Sequence, residues 1–183
     1  MKTKIIFQLS LVILSSFIFI SCKKDHPHFC DGNDTIVTTT KVFSPGFNNP
    51  RGLKFGPDGN LYVAEGGLGG TNSTIGQCDQ VTPPVGPVFG STTSGRISKV
   101  NHSGVRSTIT DQLPSSVIQP DAGGDISGVS DVAFVGHDMY ALLGGAGCSH
   151  GVPSIPNSVI KVRENGTWSI VANLSEYTKT FTP

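Results

Sequence analysis

Apolar and polar residues alternate along Asn49–Glu65 on both sides of the tripeptide Pro57-Asp58-Gly59. The alternating apolar positions are Leu53, Phe55, Leu61 and Val63. Period-two alternation around a short turn is typical of a β-hairpin. Proline favours the first bend of such a turn, and glycine accepts the positive φ that follows it. The stretch therefore predicts two antiparallel strands.

The same pattern returns further along the chain as Val129–Leu143. The corresponding positions are Leu53 with Val132, Phe55 with Phe134 and Tyr62 with Tyr140. A second pair of segments, Arg96–Ile109 and Val159–Val171, repeats in the same order. The chain thus contains two copies of one unit, each with four short strands. The predicted strands are 52–55, 60–64, 96–101 and 105–110, then 131–135, 138–142, 158–163 and 168–172.

Repeated units of four short strands are typical of β-propeller blades. No helical period follows residue 22, so we expect an all-β fold: a β-propeller of four-stranded antiparallel blades, incomplete in this chain. Blade one spans about 52–110 and blade two about 129–172, within a partial propeller over 35–183. Thr35–Phe43 is predicted to be a closing strand. Because a ring needs at least about four blades, we expect a longer protein; alternatives are a small open sandwich and a blade pair that oligomerises.

Residues 1–21 have the composition of an export signal, with Lys2 and Lys4 before the apolar run Ile5–Ile20. The run ends at Ser21-Cys22, which resembles the lipobox of bacterial lipoproteins. That resemblance implies lipidation of Cys22, a tether over 22–34, and a lipid-anchored protein of the bacterial cell envelope, periplasmic or at the cell surface. An ordinary cleaved signal or an uncleaved anchor is the alternative.

The balanced charge, with 13 basic and 13 acidic residues, offers no electrostatic basis for nucleic-acid binding. Without Cys22, three cysteines remain, Cys30, Cys78 and Cys148. Cys78 and Cys148 lie in equivalent long insertions of the two units. Disulfides form in exported proteins, so we expect these two to pair. The alternative is a nucleophilic Cys148 activated by His150.

The long connections of the predicted blades all fall at one end, and binding residues often lie on such loops. The connections are 66–95, 111–128 and 144–157, and Leu174–Pro183 begins another. Candidate ligand-face residues at this end are Arg51, Glu65, Asp125, Asp131 and His150. Oxygen ligands from Glu65, Asp121, Asp125 and Asp131 could hold Ca²⁺. Turn hydrogen bonding is the alternative role for these aspartates, and the metal is left unknown.

The blades resemble those of NHL and gluconolactonase-type propellers, with G-L-K-F-G-P-D-G-N-L-Y-V-A-E followed by G-R-I-S-K-V. A longer series of sequence motifs resembles the ScyD/ScyE family. The motifs, in chain order, are N-P-R-G-L-K-F, a cysteine in a Gly/Pro-rich insertion, G-D-I-S-G-V-S-D-V-A-F, A-G-C-S-H-G and N-G-T-W-S-I-V. This resemblance covers about Val42–Tyr177. It implies an exported propeller whose relatives are about twice as long, with no established reaction.

Three functions follow as hypotheses. The first is a lipid-anchored binding or scaffold module that holds a protein, saccharide or phenolic ligand on the loop-rich face. The second is a metal-assisted hydrolase or lactonase, although the metal-binding glutamate of gluconolactonase-type enzymes has no counterpart in Asn49–Gly52. The third is a structural envelope protein. The sequence favours a non-enzymatic protein.

Overall fold

The computed structural model describes residues 39–83, 85–119 and 124–181. Within these residues the chain forms two antiparallel sheets and one short helix, so the prediction of an all-β fold is confirmed. The first sheet contains β1 (Pro50–Phe55), β2 (Leu61–Glu65), β3 (Val88–Val100), β4 (Arg106–Ile118) and β5 (Ile126–Ser127), in that order. The second contains β6 (Val129–Val135), β7 (Asp138–Leu143), β8 (Ser158–Val162) and β9 (Trp168–Asn173). Helix α1 spans Leu174–Thr180.

Three of the tight turns share one design, in which a glycine amide donates to the carbonyl three residues earlier. The pairs are Gly59 to Gly56, Gly104 to Asn101 and Gly166 to Arg163, each at 2.9 Å. The three glycines have φ of 75°, 79° and 81°. A side chain at these positions would be strained, so the glycines in these turns explain why each hairpin closes where the sequence predicts it.

The two sheets have the same register at their corresponding positions. In the first sheet Tyr62 lies opposite Lys54 on one side and Lys99 on the other. In the second, Tyr140 lies between Ala133 and Lys161 in the same way. The correspondence between the two units predicted from sequence is therefore present in the strand pairing.

The core lies between the sheets. The first sheet contributes Tyr62, Ala64, Ile97 and Leu113, and the second contributes Val129, Val132, Met139, Ala141, Leu143, Ile160 and Val162. The rings of Tyr62 and Phe134 meet edge to face, with centroids 4.9 Å apart and planes at 69°. Edge-to-face aromatic pairs add to the stabilisation from burial alone, so this contact helps hold one sheet on the other.

Strands β3 and β4 extend well beyond their predicted ends. Residues 88–95 and 111–118 were expected in connectors, but Val88 pairs with Ile118 and Phe89 with Val117. β5 then pairs with the end of β4. Gly, Ser, Thr and Pro are typical of loops, which explains the wrong prediction. Here Val88, Leu113 and Val117 are buried, and the pairing tolerates Pro114 because the ladder is irregular at Gly95 and Leu113.

Two further predictions about elements need correction. Thr35–Phe43 was expected to be a strand, but its described part, residues 39–43, is not. Instead, Phe43 and Phe47 lie over the outer face of the first sheet, around an apolar cavity of about 320 Å³. Leu174–Thr180 was expected in a connector but is helical, because the Asn173 side chain accepts a 3.0 Å hydrogen bond from the Glu176 amide and caps the first turn.

The export signal, the tether, Cys22 and Cys30 lie outside the described residues. Among the residues that are described, no helix has the length and hydrophobicity needed to cross a membrane.

Candidate functional site

A disulfide joins the two long insertions at one end of the sheets. Cys78 and Cys148 are bonded, with their Cα atoms 6.4 Å apart and a sequence separation of 70. The predicted pairing is confirmed. A disulfide-bonded sulfur carries no thiolate, so the alternative of a nucleophilic Cys148 does not describe this structure.

Other contacts tie the same two loops, residues 66–87 and 144–157, which we call the clamped loops. The Thr74 hydroxyl donates to the Cys148 carbonyl. The Asn72 side-chain amide donates to the Gly151 carbonyl at 2.6 Å. Gly90, at the start of β3, lies so close to the second loop that a Cβ there would be 2.2 Å from the His150 carbonyl oxygen. These contacts make the clamped loops one packed layer.

A cleft of about 550 Å³ opens beside the disulfide, between the second clamped loop and helix α1. We call it the disulfide cleft. Its polar groups include Asp79 and, from the helix, Ser175, Glu176 and Lys179. Its volume lies in the range of small-molecule sites. The cleft therefore offers hydrogen-bond donors, acceptors and both signs of charge to a small polar ligand.

The Asn157 backbone and side chain hold one wall of the disulfide cleft in place. The Asn157 side chain accepts a 2.9 Å hydrogen bond from the Ala146 amide. The Asn157 amide donates to the Ser175 hydroxyl at 3.0 Å. These two hydrogen bonds join the second clamped loop to the start of α1. The position of this wall is therefore fixed by the backbone as well as by side chains.

His150, a predicted site residue, ends the 3-10 turn Cys148–His150 that follows the disulfide. Its ring Nδ1 is 3.1 Å from the Ser149 hydroxyl. Burial lowers the pKa of His150, because the charged imidazolium loses hydration. The histidine is thus predominantly neutral at pH 7 and belongs to the packed layer of loops.

Arg51 and Asp125, both predicted for the ligand face, contact each other. An Arg51 guanidinium nitrogen lies 3.1 Å from Asp125 Oδ1 and also donates to the Ile126 carbonyl. Both side chains are largely exposed. The pair connects the start of β1 to the strand that closes the first sheet.

Glu65 is placed differently from its prediction. Its side chain is fully buried and is paired with Arg96, which donates through Nε at 2.8 Å. The Ser98 hydroxyl and the Asn48 amide also donate to the carboxylate. Both oxygens of the Glu65 carboxylate accept hydrogen bonds from other groups of the protein, which indicates a structural role for Glu65.

Asp131 lies at the junction of the two sheets. Its Oδ1 accepts a 2.8 Å hydrogen bond from the Val132 amide. A Cβ on Gly52 would be 2.0 Å from the same oxygen. No three His, Cys, Asp or Glu residues of the described chain gather closely enough to hold a metal ion. Asp121, another of the expected Ca²⁺ ligands, lies outside the described residues, and the Ca²⁺ site stays a prediction.

A polar cluster at the opposite end of the sheets was not predicted. Lys99 is 2.6 Å from Asp58 and 5.6 Å from the centre of the Tyr62 ring. In the second sheet, Lys161 is 2.7 Å from Asp138 and 6.0 Å from the Tyr140 ring. The tyrosine and lysine positions of the two trios correspond in the repeat, whereas Asp58 lies four residues before Tyr62 and Asp138 two residues before Tyr140. Asp58, Tyr62, Lys99, Asp138 and Lys161 border a cleft of about 720 Å³. The signal that could have revealed them is the shared Tyr-to-Lys register of the two units.

The first of these trios changes the ionisation of its members. Burial alone would raise the pKa of Asp58, but hydrogen bonds from Lys99, Asn60 and Tyr62 lower it far below its usual value. The Asp58 carboxylate in turn raises the pKa of Lys99. Both members of the Lys99–Asp58 pair are therefore charged at pH 7.

No protein-family model, curated protein or solved structure matches this chain. The resemblance to the ScyD/ScyE family therefore stays a prediction that rests on the sequence motifs.

Proposed function

We propose that the chain is an exported, lipid-anchored binding module in which the two sheets are neighbouring blades of a β-propeller and the disulfide cleft holds a small polar ligand. The observation that carries this proposal is the disulfide between Cys78 and Cys148, which joins two long loops beside the cleft. Long loops are usually mobile. Ordering them before a ligand arrives reduces the entropy lost on binding.

The blade assignment is supported by the strand order and by the repeat. Both sheets contain a four-stranded antiparallel meander, β1–β4 and β6–β9. They share one register and pack face to face through an apolar core. Propeller blades have the same number of strands and pack on their neighbours in this way. The envelope location is supported by the apolar run before Ser21-Cys22.

The composition of the disulfide cleft favours a hydroxyl-rich ligand such as a saccharide or a phenolic glycoside. Carboxylates from Asp79 and Glu176 can accept from hydroxyl groups, and Lys179 can donate to them. Pro153 and Pro156 add apolar surface against which a ring can lie. A neutral polar ring with several hydroxyl groups satisfies both kinds of surface.

The test is ligand-observed NMR of the full chain with a panel of mono- and disaccharides and phenyl glycosides. We expect at least one to bind, and we expect Glu176→Gln together with Lys179→Ala to weaken binding at least tenfold. Thr178→Ala is the matched control, since it lies on the same helix but outside the cleft lining. Absence of binding by the whole panel, or an equal loss in the control, would overturn the proposal. Hydrolysis of a lactone panel would instead favour the hydrolase hypothesis.

The anchor is tested separately by labelling the expressing bacterium with palmitate. The label should be incorporated into the chain and should be absent from Cys22→Ser. If Cys22→Ser is still labelled, lipidation at this residue is refuted, whatever the result for the cleft.

A further inference from the structure

The four tight turns lie at the end of the sheets opposite the clamped loops, and we call this the turn end. The turns are residues 56–60, 101–105, 136–137 and 163–167. Sheets pack on one another through their faces, so another sheet placed on either outer face would leave the strand ends uncovered. The exposure of the turn end therefore does not depend on what covers the outer faces.

The chain enters the fold at the turn end. A Cβ on Gly104, in the turn between β3 and β4, would be 2.2 Å from the Phe43 carbonyl oxygen. The segment then crosses the outer face of the first sheet, and the Asn48 amide donates to Glu65 at the other end. Residues 23–39 separate this entry from Cys22, and a chain of that length spans at most about 60 Å. A lipid on Cys22 would therefore tether the protein to a membrane through its turn end.

Apolar side chains are exposed at this entry. Val42 is 72% exposed, Phe43 is 59% exposed and Val105 is 62% exposed. Basic residues flank them in sequence, with Lys41 before Val42 and Arg106 after Val105. Apolar residues bordered by lysine and arginine favour the interface of an anionic bilayer, where the apolar groups enter the headgroup region.

Basic residues outnumber acidic residues at the turn end. Two lysines there, Lys99 and Lys161, are neutralised by aspartates at 2.6 and 2.7 Å. Within the described part of the chain, four further basic residues of this end form no ion pair, and only one acidic residue is left unpaired. The four basic residues are Lys41, Lys54, Arg106 and Arg163, and the acidic residue is Glu164. The turn end therefore carries an excess of positive charge.

The end that carries the clamped loops has the opposite charge. Its three basic residues are all paired with acids, and they are Arg51, Arg96 and Lys179. Asp79 and Asp131 form no ion pair with any other described residue. Leu68 is exposed at this end as well. The two ends thus differ in charge and not in apolar exposure alone.

We infer that the turn end docks on the surface of an anionic bilayer, with Val42, Phe43 and Val105 in the headgroup region and the unpaired basic side chains on lipid phosphates. Anionic lipids attract clusters of lysine and arginine that lie near the membrane. The acidic end is repelled, so the disulfide cleft faces away from the membrane and is open to ligands from solution. The inference rests on the lipid anchor of the proposed function, but not on a ligand in the disulfide cleft.

Fluorescence quenching of the full chain in vesicles tests this orientation. Val105→Cys and Leu68→Cys are placed separately in a Cys30→Ser background, labelled with one thiol-reactive fluorophore and reconstituted with a lipid that carries a nitroxide quencher on its headgroup. In vesicles containing phosphatidylglycerol, we expect the label at Val105 to be quenched at least about twofold more than the label at Leu68. High salt should remove the difference, because it screens exposed charges. Equal quenching of the two labels, or the same difference in phosphatidylcholine alone, would overturn the inference.

A matched pair of charge variants gives an independent readout. Lys54→Gln with Arg163→Gln removes two positive charges from the turn end, whereas Thr71→Glu with Gln77→Glu adds two negative charges at the opposite end. The change in net charge is the same, and all four side chains are exposed, so both variants should unfold at the parent temperature. The first should lose the phosphatidylglycerol-dependent quenching at Val105, and the second should keep it. Equal effects of the two variants would contradict docking through the turn end.

Sedimentation with vesicles separates this inference from the anchor on which it rests. Phosphatidylcholine vesicles carry no net charge, so sedimentation with them reports on the anchor. A chain that sediments with them but shows no preferential quenching at Val105 retains the anchor and overturns the docking. A chain that does not sediment with them contradicts the anchor, and preferential quenching at Val105 in phosphatidylglycerol vesicles would then still support the turn end as the lipid-binding surface.

Discussion

Arg96 forms a two-point ion pair with Glu65, whose side chain is fully buried at the end of β2. Arg96 also donates to the Gly46 carbonyl at 2.7 Å, and the Glu65 carboxylate accepts from the Asn48 amide at 2.6 Å. The pair therefore fastens the segment before β1 to the loop end of the first sheet. Glu65 and Arg96 therefore connect three parts of the chain: the segment before β1, the paired strands β2 and β3, and the start of the first clamped loop.

Glu65→Ala should lower the free energy of unfolding by about 3–5 kcal/mol, because removing one member of a buried pair leaves the other charge unpaired. Urea denaturation followed by fluorescence measures the loss. Asp125→Ala is the control, since it breaks the largely exposed pair with Arg51 and should change the stability by less than about 1 kcal/mol. Equal effects of the two substitutions would contradict a structural role for Glu65.

Loss of the disulfide should lower stability by about 4 kcal/mol, since it frees a closed loop of 70 residues in the unfolded chain. The comparison is between the parent and the double variant Cys78→Ser, Cys148→Ser in urea. Reductant should destabilise the parent and leave the double variant unchanged. Peptide mapping without reductant should recover the two cysteines as one crosslinked pair; free thiols at both positions would refute the pairing.

Gly90→Ala should destabilise the protein by about 1–3 kcal/mol, the range for inserting atoms into a packed site. A methyl group there would collide with the backbone of His150 and Gly151. It should also increase proteolytic cleavage within the clamped loops, which limited proteolysis with mass spectrometry can locate. Thr92→Ala, two residues on and exposed, should change neither quantity. A stable, protease-resistant Gly90→Ala protein would contradict the close packing.

Stability should fall as the pH drops below about 6.5, the ordinary histidine value in the unfolded chain. The folded pKa of His150 is lowered by burial. Between the two pKa values the unfolded state binds the extra proton, so acidification favours unfolding. His150→Gln should flatten this part of the stability profile, measured by thermal unfolding across pH 5–8. His102→Gln, at an exposed turn, should leave the profile as in the parent, and an unchanged slope in His150→Gln would contradict the prediction.

The loop ends of the two sheets show where sequence reasoning reached its limit. The pairing of Cys78 with Cys148 was predictable because the repeat places both in equivalent insertions. The burial of Glu65 was not, since its partner Arg96 is 31 residues away and the contact depends on the pairing of β2 with β3. The extension of β3 into 88–95 was missed for a similar reason: Gly90 and Gly95 are paired and buried only because β4 and the second clamped loop lie against them.

The sequence by itself determined the hairpins, the repeat and the all-β class, because alternation, turn glycines and short apolar runs act within a few residues of each other. Only the tertiary structure decided which face of each sheet is buried. Phe55 and Phe134 occupy the same position in the repeat, yet Phe134 packs on Tyr62 while Phe55 is exposed. The two phenylalanines have the same local pattern, and their difference arises from which sheet lies against each of them.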